Sequence, residues 1–230
     1  MKINGLQKLT LLDFPGRTAC TVFLAGCDFA CPFCHNFDLT SASAPAVMED
    51  DELLRFLETR KGLIEGVAFT GGEPTLRPGL AGLFRDVRAL GFQIKLDTNG
   101  NSPDALEAIL AEGLADYVAM DIKNSPDAYA ATAGLKRVDI GRINRSIDLL
   151  MGGKTDYEFR TTVIDSLHSE ASFSAIGEWI DGAKQYFLQP FKDGPGVPFS
   201  GFEAPSAQKL NLYAEILRPH VGKIGIRGLD

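Results

Sequence analysis

Short runs of β-branched, aromatic and aliphatic residues alternate along this chain with stretches whose apolar residues recur every three or four positions. The runs fall at 18–24, 66–70, 92–96, 117–121, 157–164, 185–189 and 223–227. Each has the length and composition of a strand. Helical periodicity predicts helices over 49–61, 80–90, 103–112, 140–151, 173–183 and 204–217. The first shows the logic: acids fill its first turn, Leu53, Leu54 and Leu57 make an apolar stripe, and Lys61-Gly62 closes it. Strands alternating with helices imply parallel βαβ units, about six of them before the C-terminal tail. A closed eight-unit barrel takes about 250 residues. This chain has 230, and 192–205 is a glycine- and proline-rich loop. The pattern predicts an α/β fold, an incomplete (β/α)6 TIM-like barrel in a single domain over 1–230. A flavodoxin-like doubly wound sheet is the alternative. No internal repeat, low-complexity tract or long linker divides the chain.

Polar residues gather where these strands end, and in parallel α/β folds that is where ligands bind. The run 18–24 leads straight into a loop with three cysteines. The next ends in Thr70-Gly71-Gly72-Glu73-Pro74, where two glycines let backbone approach a ligand closely. Then come Asp97-Thr98-Asn99-Gly100 and Asp121-Ile122-Lys123, and the fifth strand carries Arg160 with Thr161 and Thr162. Taken singly, the glycine pairs also read as turn chemistry, and Asp121 with Lys123 as a structural ion pair. Their coincidence at successive strand ends favours a site.

Composition narrows the function classes. Hydrophobic content of 45% and charged content of 23% are ordinary for a globular protein with a sizeable core. A net charge of −7 argues against general nucleic-acid binding, which needs a basic face. No apolar run approaches the roughly 20 residues that span a bilayer. Four cysteines within fifteen positions do not make a disulfide framework and suit a reducing compartment. The chain is expected in the cytoplasm.

The cysteine loop, Cys27-Asp-Phe-Ala-Cys31-Pro-Phe-Cys34, has the spacing C-x3-C-x2-C. Iron–sulfur cubanes usually take four thiolates, so three on one loop leave an iron open to a ligand. The reading is a site-differentiated [4Fe–4S] cluster. Rivals fit parts of the string. Cys31-Pro-Phe-Cys34-His35 matches C-x-x-C-H, the pattern of haem attachment, and contains the C-x-x-C of thioredoxin-like redox sites. Haem attachment would leave Cys27 without a task and needs export, for which the N-terminus shows no apolar segment. A Cys3His zinc site through His35 is a third reading, although zinc motifs usually bring ligands from separated pairs.

With these residues the chain resembles the radical S-adenosylmethionine superfamily. The resemblance rests on the C-x3-C-x2-C loop with aromatic Phe33 before the last cysteine, and on Gly71-Gly72-Glu73-Pro74. Within the superfamily it resembles the glycyl-radical-enzyme activating enzymes, and most of all the activators of anaerobic ribonucleoside-triphosphate reductase. Leu12-Asp13-Phe-Pro-Gly16-Arg17, Cys34-His35-Asn36, Asp97-Thr98-Asn99-Gly100 and Met120-Asp121-Ile122-Lys123 carry that closer likeness. The resemblance implies an oxidoreductase in which Cys27, Cys31 and Cys34 bind three irons and S-adenosylmethionine chelates the fourth. The 71–74 segment would hold the methionine amino group. Phe33 and the backbone through Cys34 and His35 would flank the adenine. Asp97 would face the amino group, and Lys123 or Arg160 the carboxylate. Asp97, Thr98 and Asp121 would cup a monovalent cation, and Asn99, Ile122 and Gln189 would complete the pocket. Asp13 would meet the partner beside its glycine. A low-potential reductant such as flavodoxin or ferredoxin would supply electrons.

The chain also departs from a neighbouring pattern. Pyruvate formate-lyase activators carry histidine where this chain has Gln189-Pro190-Phe191, which weighs against a pyruvate formate-lyase role. Gln189 can still hydrogen-bond a carboxylate or a ribose hydroxyl. Cys20 sits among apolar neighbours and reads as packing. His168 and His220 receive no role. A radical enzyme acting on another glycyl radical enzyme of the pyruvate formate-lyase type, one acting on a small molecule of the carboxy-deazaguanine synthase type, and a non-catalytic zinc or electron-transfer module are the alternative functions.

Overall fold

In the structure, a computed structural model that describes residues 1–228, the predicted runs do become strands. The chain opens with β1 (Lys2–Ile3), β2 (Gly5–Thr10) and β3 (Ala19–Leu24), followed by β4 (Met48–Glu49) and α1 (Asp50–Glu58). There follow β5 (Gly66–Gly71), α2 (Leu80–Ala89), β6 (Gln93–Thr98), α3 (Pro103–Ala111) and β7 (Tyr117–Asp121). The rest is α4 (Tyr129–Thr132), α5 (Ile140–Gly152), β8 (Asp156–Val163), α6 (Glu170–Trp179), β9 (Tyr186–Pro190), α7 (Ala207–Leu217) and β10 (Ile224–Ile226). The main sheet runs β10-β9-β8-β7-β6-β5-β3-β2 and is parallel except for β2. The parallel strands lie in chain order with no reversal, which rules out the doubly wound alternative. Among the described residues no ladder joins the edge strands β2 and β10, so the barrel is open. No helix is long and apolar enough to cross a membrane.

The two faces of the sheet differ in chemistry. Val22, Phe69, Leu96, Val118 and Tyr157 are register partners across five strands and are buried in the hydrophobic core. Burying an aliphatic or phenyl side chain of this kind contributes roughly 1.5–3 kcal/mol. Adjacent residues point the other way, because side chains alternate along a strand. Their row holds Lys95 opposite Tyr117, then Asp97, Asp121, Glu158 and Arg160. The concave face is therefore lined by charge.

Some elements escaped the pattern. Strand β2 pairs antiparallel with β3, yet Gln7, Lys8 and Leu9 are all exposed, so no apolar alternation marks it. It is an edge strand carrying a lysine, a usual safeguard against further pairing. The two-residue ladder of β1 with β4 is too short for any periodic signal. Helix α6 starts three residues before the predicted 173, because the Ser169 hydroxyl caps it by accepting from the Ser172 N–H at 3.2 Å. Strand β6 runs on through Asp97 and Thr98 rather than stopping at Leu96.

A buried cluster ties down the last strand. Glu158 on β8 is wholly buried and accepts two hydrogen bonds from Arg227, at 2.6 and 2.7 Å, and one from the Tyr117 hydroxyl at 2.6 Å. Burial acts to raise its pKa, but Arg227 and Tyr117 outweigh this and hold it below the ordinary carboxyl value. Arg227→Ala would strand the carboxylate, and losing one partner of a buried pair costs roughly 3 kcal/mol at the lower end of the usual range. The lower end applies because Arg227 is 34% exposed and Tyr117 still donates. Chemical denaturation should show that loss at pH 7, with partial recovery when Glu158→Gln is added. Because the folded pKa is depressed, the contribution is present above the unfolded carboxyl pKa of about 4.3 and lost as pH falls below it. The difference between wild type and Arg227→Ala should therefore shrink in acid.

Candidate active site

A cavity of about 410 Å³ lies on the concave face, lined by Asp13, the three loop cysteines and the polar ends of β5 to β9. Its wall starts where β3 delivers the chain into the cysteine loop. The loop is pinned by backbone hydrogen bonds from Gly26 to Leu39 (2.8 Å), from Cys27 to Thr40 (2.9 Å) and from Ala30 to Ala133 (3.0 Å). Cys27, Cys31 and Cys34 are unpaired thiols on the cavity wall. Burial pushes Cys27 up to about 12 and raises Cys31 and Cys34. Thiolates are the metal-binding form, so metal binding here must release protons.

The spacing of these thiols bears on which metal they fit. Zinc holds each thiolate at about 2.3 Å, which draws the sulfurs to within about 4 Å of one another. Among the described residues no three His, Cys, Asp or Glu side chains are gathered tightly enough to ligate one ion. Three soft donors spread along one loop beside open space suit a cluster in which each thiolate takes a different iron. Cys20 is wholly buried in the hydrophobic core and does not reach the cavity.

Gly71 and Gly72 line the cavity, but chain packing is what demands glycine there. Gly71 has a φ of +118°, and a Cβ on it would fall 2.3 Å from the Leu24 carbonyl oxygen. A Cβ on Gly72 would lie 2.3 Å from that of Gly26. The end of β5 is thus pressed against the root of the cysteine loop, with Gly72 N–H donating to Leu24 and Glu73 N–H to Gly26. Glu73 and Pro74, expected at the pocket, stand behind its wall. The Glu73 side chain accepts from Thr75 N–H (3.1 Å) and hydroxyl (2.5 Å), Thr98 hydroxyl (2.8 Å) and Asn99 N–H (2.6 Å). Burial, partly offset by these donors, raises its pKa to about 7. Pro74 is buried at the start of the single helical turn Pro74–Leu76. Ile122 is also behind the wall: its side chain is wholly buried and its carbonyl accepts from Thr161.

The polar ends of β6, β7 and β8 form a ladder of charges. Lys95 donates to Asp97; Arg160 reaches Asp97 at 3.2 Å and Asp121 at 2.7 Å; Lys123 reaches Asp121 at 2.7 Å. Burial would raise both carboxyls and lower Arg160 and Lys123. The pairing wins, so the aspartates are held below their ordinary range and both cations above theirs. Asp97, Asp121, Lys123 and Arg160 line the cavity, and Lys95 supports Asp97 from behind its wall. Two expectations change as a result. Asp97 already answers Lys95 and Arg160, so an ammonium group would share its carboxylate with them. The position between Asp97 and Asp121, assigned to a monovalent cation, holds the Arg160 guanidinium, while the Thr98 hydroxyl turns to Glu73. Lys95 was not anticipated. Its signal was its place two residues before Asp97, on the same face of the strand.

The remaining candidates surround this ladder. Phe33 packs edge-on to Phe202, with ring centroids 6.2 Å apart. The His35 imidazole donates to the Lys192 carbonyl at 2.6 Å and rests against Phe191. Asp13 accepts from the Thr21 hydroxyl at 2.5 Å. Gln189 and its register partner Thr162 line the cavity, and among the described residues neither side chain hydrogen-bonds another group. His168 proves to be a brace: it accepts from Ile164 N–H through Nδ1 and donates to the Lys123 carbonyl through Nε2.

Relatives agree with this architecture. A protein of Methanocaldococcus jannaschii, provisionally named a glycyl-radical enzyme activating enzyme, is 28% identical over 99% of this chain and 96% of its own. The 7-carboxy-7-deazaguanine synthase of Thermococcus kodakarensis is 32% identical over 88% of this chain and 83% of its own. The structure of Streptococcus suis SuiB bound to precursor peptide SuiA shares the fold, with a TM-score of 0.72 at 15% identity over 90% of this chain and 48% of that one. The family described as the Radical SAM superfamily matches residues 21–170, which take in the cysteine loop and every charge of the ladder. The chain belongs to the radical SAM superfamily.

Proposed function

We propose that this protein is an activating enzyme that generates a glycyl radical on a partner enzyme, the partner being anaerobic ribonucleoside-triphosphate reductase. The observation that carries the reading is that three cysteine thiols share an open polar cavity with a fixed ladder of paired charges, Asp97, Arg160, Asp121 and Lys123. The M. jannaschii relative, matched along nearly its whole length, supports the class of activity. The choice of the reductase rests on the segments around Asp13, His35, Asn99 and Lys123, and Gln189 weighs against pyruvate formate-lyase.

Cys27, Cys31 and Cys34 would hold a [4Fe–4S] cluster, with S-adenosylmethionine beside it. Together these supply hydrogen-abstraction chemistry. This chain's own residues position and exclude. Phe33 and the backbone through His35 flank an adenine. The cationic groups of Arg160 and Lys123 favour a carboxylate through charge-assisted hydrogen bonds. The backbone at Gly71 and Gly72 and the shared carboxylate of Asp97 face an ammonium group. Thr162 and Gln189 offer neutral hydrogen bonds to a ligand. Asp13 keeps one carboxylate oxygen without a partner among the described residues, available to a donor flanking the partner's glycine. A low-potential reductant such as flavodoxin or ferredoxin delivers the electron. The likeness to the T. kodakarensis enzyme favours a second reading, a radical enzyme acting on a small heterocycle.

Anaerobically reconstituted protein should hold one [4Fe–4S] centre whose reduced spectrum changes on adding S-adenosylmethionine. Replacing Cys27, Cys31 or Cys34 by Ala should abolish it, and Cys20→Ala should not. Stoichiometric zinc without iron would sink the reading. Asp13→Asn should leave 5′-deoxyadenosine release without partner nearly intact, while the glycyl radical signal on the reductase drops. Parallel loss of both would mean a role in cofactor binding or folding, and loss of neither would make Asp13 a turn residue. A small heterocycle consumed at rates the reductase cannot match would establish the second reading instead.

A further inference from the structure

Asp28 follows the first loop cysteine and carries a carboxylate with no cationic partner among the described residues. Instead two amides from the loop after β6 hold it. Asn99 Nδ2 donates to Oδ1 at 2.8 Å and Asn101 Nδ2 donates to Oδ2 at 2.6 Å. The same Asn99 nitrogen lies 3.9 Å from Cys27 Sγ, so one amide spans the carboxylate and the ligand sulfur. Asn101 makes this contact although its own side-chain oxygen is left buried without a partner. An unsatisfied buried acceptor of this kind costs on the order of 1–3 kcal/mol. The orientation of Asn101 is thus set by Asp28. Asn99 is placed in turn by its N–H bond to Glu73 at 2.6 Å and by its side-chain oxygen, which accepts from Asn101 N–H at 2.9 Å.

Such an arrangement fixes a carboxylate beside the sulfur with no cation paired to it among the described residues. Cluster potentials respond to net charge and to hydrogen bonds at the sulfurs, and the partners around metal ligands tune the metal. Two opposed effects meet here. The carboxylate disfavours adding an electron nearby, whereas an N–H directed at the thiolate favours it. The Phe29 N–H donates to Cys27 Sγ at 3.4 Å, whereas Asn99 makes its short bond to Asp28 and only a long one to Cys27, so the Asn99 amide serves the carboxylate rather than the sulfur.

We infer that Asp28, clamped by Asn99 and Asn101, is a positioning residue that holds the potential of the proposed cluster low. The inference rests on the reading that Cys27, Cys31 and Cys34 hold an iron–sulfur cluster. The step concerned is uptake of one electron by the cluster from a low-potential protein reductant, with no bond made or broken at Asp28. A lower potential leaves the reduced cluster a stronger donor to the bound cofactor.

The test is a redox titration followed by electron paramagnetic resonance, on anaerobically reconstituted full-length protein without S-adenosylmethionine or partner. Wild type, Asp28→Asn and Asp28→Glu are compared. Asp28→Asn keeps the side-chain volume and an acceptor but removes the charge, so its midpoint should move to a more positive potential at unchanged iron content. Asp28→Glu should return it toward the wild-type value. A midpoint in Asp28→Asn equal to wild type would overturn the inference, and so would loss of the cluster, which would make the clamp a brace for the loop. Wild-type protein that takes up no iron would instead remove the cluster reading on which it rests.

Discussion

Lys95, Asp97, Arg160, Asp121 and Lys123 sit on neighbouring strands of the concave face, largely out of water. Removing an ion from water costs several kcal/mol, and a pair survives burial only when its geometry returns that energy. Each member of this ladder is therefore obliged to point at the next. The obligation sets the positions of the side chains at the ends of β6, β7 and β8 before any ligand arrives. It also explains why both aspartates stay ionised and Arg160 and Lys123 stay charged despite burial. Preorganisation of this kind lowers the ordering cost that a bound zwitterion would otherwise bring.

The open barrel follows from the same chemistry. A closed barrel of this strand type fills its interior with apolar layers. Here the interior rows are charged, and the sheet leaves β2 and β10 as separate edges around a polar cavity. The final strand is held by the second buried charge cluster, in which Arg227 grips Glu158. The outer face remains conventional, with apolar residues in register against the helices.

Contacts between loops then join the cysteine segment to the ladder. Gly71 and Gly72 allow β5 to end against Leu24 and Gly26, and Glu73 stitches that turn to Thr98 and Asn99. Asn99 and Asn101 complete the chain by holding Asp28. The end of β6 is thus joined to the cysteine loop by a continuous run of hydrogen bonds.

The linear chain was enough for much of this. Period-two apolar runs and three-four periodicity located the parallel strands and their helices, because those patterns come from side-chain direction along a backbone. The cysteine spacing and the polar strand ends were equally visible, since parallel connections send every strand end to one side. Four matters required the folded structure. Strand β2 was hidden because its exposed face needs no apolar alternation. Glu73 looked like a pocket residue until its four donors, brought from two loops, turned it inward. Arg160 became a partner of Asp97 only when β6 and β8 were set on either side of β7. Asp28 gained its clamp only when the loop after β6 came to lie beside the cysteine loop. Local pattern determines which way a side chain leaves its own strand. Which charge it meets there depends on strand order and register, and these are decided by the packing of the whole sheet.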